Sequence, residues 1–123
     1  MQNNITNKQF FSYQEKVEEE GECLEYKHYQ TYPFTPEQRK IIRRAVCGML
    51  NHLGGRIFIG INDDQIVKGI KLSPIQKDEF ESQFFNSLIE NFEPSLTLPE
   101  KLYEIYFLPI NDQKQKNLLK INM

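Results

Sequence analysis

Ala45-Val46-Cys47-Gly48-Met49-Leu50-Asn51-His52-Leu53-Gly54-Gly55-Arg56-Ile57-Phe58-Ile59-Gly60-Ile61-Asn62-Asp63-Asp64 reads as the end of an amphipathic helix, a Gly-Gly stop, a short strand and an Asn-Asp-Asp turn. Running back from the glycines, Ile42, Ala45, Val46, Met49, Leu50 and Leu53 fall on one stripe. That is the i, i+3, i+4, i+7 spacing of a core-facing helix. Gly54 supplies the left-handed residue that closes such a helix at little steric cost. The strand after it is apolar almost throughout, which predicts burial on both faces. It delivers Asp63 and Asp64 to its C-terminal end, where open α/β sheets concentrate their chemistry. Gln65-Ile66-Val67-Lys68-Gly69-Ile70 then reads as a second strand.

Towards the N-terminus, Thr35-Pro36-Glu37-Gln38 is a helix start, with Thr as N-cap, Pro at the first helical position and Gln three residues past the cap. The helix it opens is expected to run to Leu53. Its polar face carries Arg39, Lys40, Arg43 and Arg44, and the like charges at i, i+4 cost a little helix stability. Such a face is either solvated or turned towards an anionic partner. Before Tyr32-Pro33-Phe34, a connecting loop, Glu22-Cys23-Leu24-Glu25-Tyr26-Lys27-His28-Tyr29 reads as a strand. Period-two geometry puts Cys23, Glu25, Lys27 and Tyr29 on one face and Leu24, Tyr26 and His28 on the other. Glu25 and Lys27 read most simply as an exposed ion pair worth little, and alternatively as a metal ligand beside a phosphate-steadying cation. Residues 1–9 are polar and read as frayed. Phe10, Phe11 and Tyr13 offer an aromatic anchor, and Glu15, Glu18, Glu19 and Glu20 form an acidic run that reads mostly as solvated.

Towards the C-terminus, Ser73-Pro74 caps a helix expected to reach about Phe92. Phe80, Phe84, Leu88 and Phe92 form its core stripe, with Phe85 and Ile89 beside them. Pro94 ends it, Ser95 to Glu100 form a loop with Pro99, and Leu102–Leu108 is a strand stopped by Pro109. A polar turn over Asn111–Asn117 leads to a last strand beginning at Leu118. The sum is an α+β fold, a mixed β-sheet packed against two main helices. Residues 1–14 are expected to be a flexible or loosely anchored segment and 15–123 the domain. Met123 arrives abruptly, which reads as a minimal version of the domain or as a fragment of a longer one, short at its C-terminus.

At 123 residues and 39% hydrophobic, with nine Phe and six Tyr, the chain has material for one core. The net charge of −2 gives no global basic field, although a local basic face suffices for nucleic acid. Two cysteines, Cys23 and Cys47, are too few for a disulfide scaffold or a zinc cluster and read as reduced and structural. No stretch approaches a membrane span and the N-terminus has no apolar targeting core, so a soluble intracellular protein is expected, cytoplasmic or nuclear. His52 reads as a helix C-terminal residue interacting with the dipole, and His28 as structural or surface.

Glu20 and Glu25 lie five apart, before and inside one strand, and Asp63 at the end of another. Carboxylates from separate strands at one sheet edge are what a hard divalent cation needs, since Mg²⁺ and Mn²⁺ take oxygen ligands and keep waters. Glu20-Gly21-Glu22-Cys23-Leu24-Glu25-Tyr26-Lys27 resembles the Glu-Ser-x-x-x-Glu-Phe-Lys element of the Schlafen (AlbA-like) domain. Leu50-Asn51-His52-Leu53-Gly54-Gly55 through Asn62-Asp63-Asp64 is similar to that family's Asn-Thr-x-Gly-Gly-x-Leu-x-Ile-Gly-Val-Asp-Asp segment. Val67-Lys68-Gly69 matches its short Val-x-Gly strand.

The resemblance implies a Schlafen AlbA-like lobe and, as in nuclease-active members, a three-carboxylate centre that cleaves structured RNA such as transfer RNA with Mg²⁺ or Mn²⁺. Glu20, Glu25 and Asp63 would be the catalytic metal ligands, with Asp64 the alternate for the third. Lys27 would contact phosphate, alongside Arg39, Lys40, Arg43 and Arg44. The family's zinc positions have no counterpart here, so no zinc is expected. Schlafen cores pair two lobes into a basic valley; a single lobe implies a homodimer or a hetero-oligomer with another such lobe, and RNA or single-stranded DNA as partner. Gly21 and His52 depart from the motif without removing a ligand. Two other readings stand beside the endoribonuclease: a non-catalytic nucleic-acid-binding or assembly module, and a subunit completing another protein's site.

Overall fold

In a computed structural model, which describes residues 5, 7–91, 103–113 and 115–123, the elements in order are β1 (Leu24–Lys27), α1 (Pro36–Leu50), β2 (Arg56–Ile59), β3 (Ile70–Lys71), α2 (Pro74–Asn91), β4 (Glu104–Pro109) and β5 (Lys116–Asn122). β5 is the hub of the sheet. It runs antiparallel to β2, to β3 and to β4, with Ile57 opposite Ile121, Ile70 opposite Asn117 and Tyr106 opposite Lys120. β1 joins β2 in parallel, Leu24 facing Arg56 and Lys27 facing Ile59, so α1 is the crossover a parallel pair requires. The expected α+β arrangement, a mixed sheet with two helices, is what forms.

Alternation along the strands sorts the core into two layers. Ile57, Ile59, Leu119 and Ile121 pack with Ile42, Val46 and Met49 of α1 and Phe80 and Phe84 of α2. Phe58, Tyr26 and Leu118 face the other way, against Ile5, Phe11 and Val17 of the N-terminal segment. β2 is thus buried on both faces, as its unbroken apolar run demands. Ile5, read as part of a frayed segment, is fully buried, because this second face of the sheet needs an apolar cover.

α1 opens on a reciprocal capping box, in which Thr35 Oγ1 accepts from Gln38 N (3.1 Å) and Gln38 Oε1 accepts from Thr35 N (3.0 Å). Ser73 and Gln76 build the same device at α2. At its other end α1 stops at Leu50, three residues before the expected Leu53. His52 N donates to Met49 O, tightening the last turn, and Gly54 N reaches the same carbonyl at φ +81°. Leu53 therefore swings outward and is 85% exposed. Phe85, also expected at the core, is 44% exposed, since Phe80 and Phe84 already fill the α2 stripe. The side chains of Leu88 and Ile89, together with Phe92, Pro94 and the loop to Glu100, lie outside the described residues.

The second strand is shorter than the Gln65–Ile70 expected. Gly60 N and Ile61 N both donate to Lys27 O, and Lys68 N and Gly69 N both donate to Gly60 O. Two donors sharing one acceptor on each side is a bulge, and it breaks the ladder until Ile70. Ile66 and Val67 make only isolated bridges, to Lys16 and Ile61.

Candidate functional site

β1 ends where β2 ends, and the three acid-bearing segments converge there by backbone bonding. Lys27 O holds the Gly60–Ile61 bulge that leads into the Asp63 turn. Val17 N donates to Gln65 O on the far side of that turn, and from Val17 the chain runs on to Glu20 beside β1. The turn is an Asx turn: Asn62 Oδ1 accepts from Asp64 N and from Ile66 N, both at 3.0 Å. Asp63 and Asp64 sit exposed at its tip.

Glu20 has a structural task that its sequence position does not announce. Cys23, Glu25 and Lys27 turn their backbone groups to β2, which leaves those of Leu24 and Tyr26 on the open edge. Gly21 exchanges backbone bonds with Leu24, and Glu20 Oε1 accepts from Tyr26 N at 2.5 Å. The edge of β1 is thereby closed against strand addition. The neighbouring carboxylates then bear on Tyr26. Burial first, then the charges of Glu18 and Glu20, push its phenol far above the usual tyrosine range. The hydroxyl donates to Glu18 O at 2.6 Å.

That raised value has a stability consequence. Above pH 10, the ordinary tyrosine value, an unfolded chain releases the Tyr26 proton while the folded chain retains it. Stability therefore falls as pH rises beyond that point. Tyr26→Phe should cost about 1 kcal/mol at neutral pH through the lost hydrogen bond and should flatten the alkaline decline. Urea unfolding of both proteins across the alkaline range checks this.

Glu25 stands apart from Glu20. It lies on the helix face, where its Oε2 is 3.6 Å from Lys27 Nζ with both side chains partly exposed, the ion pair among the two readings of that dipeptide spacing. The Tyr29 phenol on the same face is raised by burial, then by Glu25 and by Glu37 of the first turn of α1. Glu20 is thus bound along the strand edge, Glu25 is paired on the helix face, and Asp63 projects from a turn. Among the described residues, no three His, Cys, Asp or Glu side chains are grouped so as to hold a metal ion. The donor set fits Mg²⁺ or Mn²⁺ by chemistry and does not fit it by placement here.

The basic face of α1 is assembled. Arg39, Lys40 and Arg43 line one groove between α1 and α2 with Pro36, Gln83, Asn86 and Ser87, about 520 Å³ in volume. Arg39 is steadied by a bond from Nη1 to Phe34 O at 3.1 Å. Arg44 is exposed on the same helix outside the groove. None of the four is within salt-bridge distance of a carboxylate among the described residues. Arg43 also lies beside Cys47, whose thiol is pushed up by burial and drawn down by that guanidinium. Both cysteines are free thiols. His28 Nε2 lies 3.3 Å from Gln30 Nε2, and His52 is exposed just past α1.

Gln83, Asn86 and Ser87 were not singled out in the sequence. Their signal is the polar face of α2, one turn apart, opposite the arginines. Among the described residues, no helix is long and apolar enough to cross a membrane. The family model described as Schlafen, AlbA_2 matches residues 20–122, from the edge-capping glutamate to the end of β5.

Proposed function

Because the chain belongs to the Schlafen, AlbA_2 family, whose domain points to a nucleic-acid-related function, we propose that it binds structured RNA along the basic face of α1. The observation that carries this is the α1–α2 groove, where three cations that make no ion pair among the described residues face a row of amide and hydroxyl groups. In a chain of net charge −2, like charges gathered on one helix face repel one another, and phosphates relieve that repulsion while releasing counterions. Gln83, Asn86 and Ser87 supply polar contacts to phosphate or sugar, which position an RNA without reading its bases. A second copy, or another lobe of the family, would extend the groove into a longer track.

A second reading keeps the endoribonuclease, with Glu20, Glu25 and Asp63 holding Mg²⁺ or Mn²⁺ and Lys27 meeting phosphate. The convergence of their three segments at one end of β1 and β2 favours it. Against it stand the Tyr26 bond on Glu20 and the separation of the carboxylates between a strand edge, the helix face and a turn tip.

Fluorescence anisotropy of a labelled RNA hairpin in EDTA, titrated with salt, tests the binding reading. The logarithm of affinity should fall steeply with the logarithm of salt, and Arg39→Gln/Arg43→Gln should make that slope shallower by about 1 per contact removed. A flat parent slope, or an unaltered variant slope, would sink it. The same RNA incubated with Mn²⁺ tests the other reading. Cleavage lost both in EDTA and in Glu20→Gln/Glu25→Gln/Asp63→Asn would establish the nuclease, whereas intact RNA that stays bound leaves the binding module.

A further inference from the structure

The face of the sheet opposite the helices is only partly covered. Tyr26, Phe58, Lys120 and Tyr106 lie in one row across β1, β2, β5 and β4. The Lys120 ammonium sits between two rings, 5.8 Å from the centre of Phe58 and 5.5 Å from that of Tyr106. Ile5, Phe11 and Val17 roof the Phe58 end of the row, and Tyr106 at its other end stays 39% exposed. Between the two lies a hollow of about 460 Å³, lined by Asn7, Lys8, Gln9, Phe10, Tyr106 and Lys120, with Leu108 and Pro109 below. Phe10 is 63% exposed at its rim.

An exposed phenylalanine on a surface loop usually has no task, but this one shares a hollow with a second exposed aromatic ring and two ammonium groups. The Tyr106 hydroxyl donates to Glu104, which fixes the ring's orientation. Lys8 is paired with Glu15 at 3.1 Å and lies over Phe11, so it stands at the rim as a positioned cation. On the same face and two positions along, opposite Asn122, Arg56 has a buried Nε with no hydrogen-bond partner among the described residues. Burial first, then the Arg56 charge, lower the Lys120 pKa, and the Glu104 carboxylate beside it acts in the opposite direction.

Flat apolar rings beside cations, with side-chain amides at the wall, match a base joined to a phosphate. Ring faces accept any base, and the ammonium groups track the backbone. The hollow also falls in the range of small-ligand sites, about 300–1,000 Å³.

We propose that this hollow is a second nucleic-acid contact that takes an unpaired nucleotide, its base against Phe10 and Tyr106 and its phosphate towards Lys120 and Lys8. It rests on the reading that the chain binds nucleic acid and is independent of whether α1 carries the main affinity. A base held in a duplex cannot enter, so the contact distinguishes single strands from paired ones.

The test is anisotropy with a labelled single-stranded oligoribonucleotide and with the same strand annealed to its complement. Phe10→Ala changes an exposed side chain and leaves the fold intact. Tyr106→Leu removes the second ring, and Tyr106→Phe keeps it. Phe10→Ala and Tyr106→Leu should each weaken single-strand binding about tenfold and leave duplex binding unchanged, while Tyr106→Phe should behave as the parent. Unchanged single-strand affinity in both ring-deleting variants, or an equal loss on the duplex, would overturn the proposal. So would an acidic peptide that binds with the same dependence on Phe10 and Tyr106. Single-strand binding that survives Arg39→Gln/Arg43→Gln but not Phe10→Ala would support the hollow while removing the α1 reading.

Discussion

Gly60→Val should cost the fold about 3 kcal/mol or more, adding backbone strain to overpacking. Gly60 holds φ +119°, a region that side chains rarely adopt, and a Cβ there would stand 2.9 Å from the Cα of Gly69. The obstacle is backbone, so no rotamer change relieves it. The effect should also reach the candidate site, since the Gly60–Ile61 bulge aims the Asp63 turn. Gly48 is the internal control. It is exposed within α1 and nothing lies within 4 Å of a Cβ placed there, so Gly48→Ala should stabilise by about 0.5–1 kcal/mol. Urea midpoints for the two variants check both signs. A Gly60→Val protein as stable as the parent would show that the bulge is not fixed as described.

Phe58→Ala should be comparably damaging, at about 3–5 kcal/mol for a fully buried aromatic side chain. Phe58 is 0% exposed and meets Phe11 and Tyr26 edge-on at 6.4 and 6.2 Å. It is the peg on which Ile5, Phe11 and Val17 of the N-terminal segment hang, so its loss should lower Tm by roughly 10–20 °C and open that segment to protease. Limited proteolysis below Tm separates the two consequences. A destabilised variant that still protects the segment from cleavage would mean that Ile5 and Val17 suffice to dock it.

The sequence was most legible where the physics is local. Thr35 and Gln38, and likewise Ser73 with Gln76, declare helix starts because a cap is a contact between neighbours. Gly54 declares an end for the same reason. The apolar run of β2 announced a strand buried twice, and the Schlafen-like motifs led to the family that matches. What escaped depended on distant partners. Leu53 fits the α1 stripe by spacing, but a tightened turn removes it. Phe85 fits beside Phe80 and Phe84, yet the layer beneath α2 is already full. The Glu20 carboxylate reads as a ligand in its motif, while its bond to Tyr26 follows from a strand edge that only the folded chain possesses. Tyr106 and Lys120 are ordinary residues of two strands until pairing sets them side by side.

The most direct measurement of where RNA lies is a titration of unlabelled RNA hairpin into the ¹⁵N-labelled protein, following amide shifts at moderate salt in EDTA. The largest shifts should fall on residues 36–44 of α1 and 83–87 of α2, with the Asn62–Gln65 turn little moved. Shifts confined to that turn and to β1, with α1 silent, would contradict the basic-groove reading and return the chemistry to Glu20, Glu25 and Asp63.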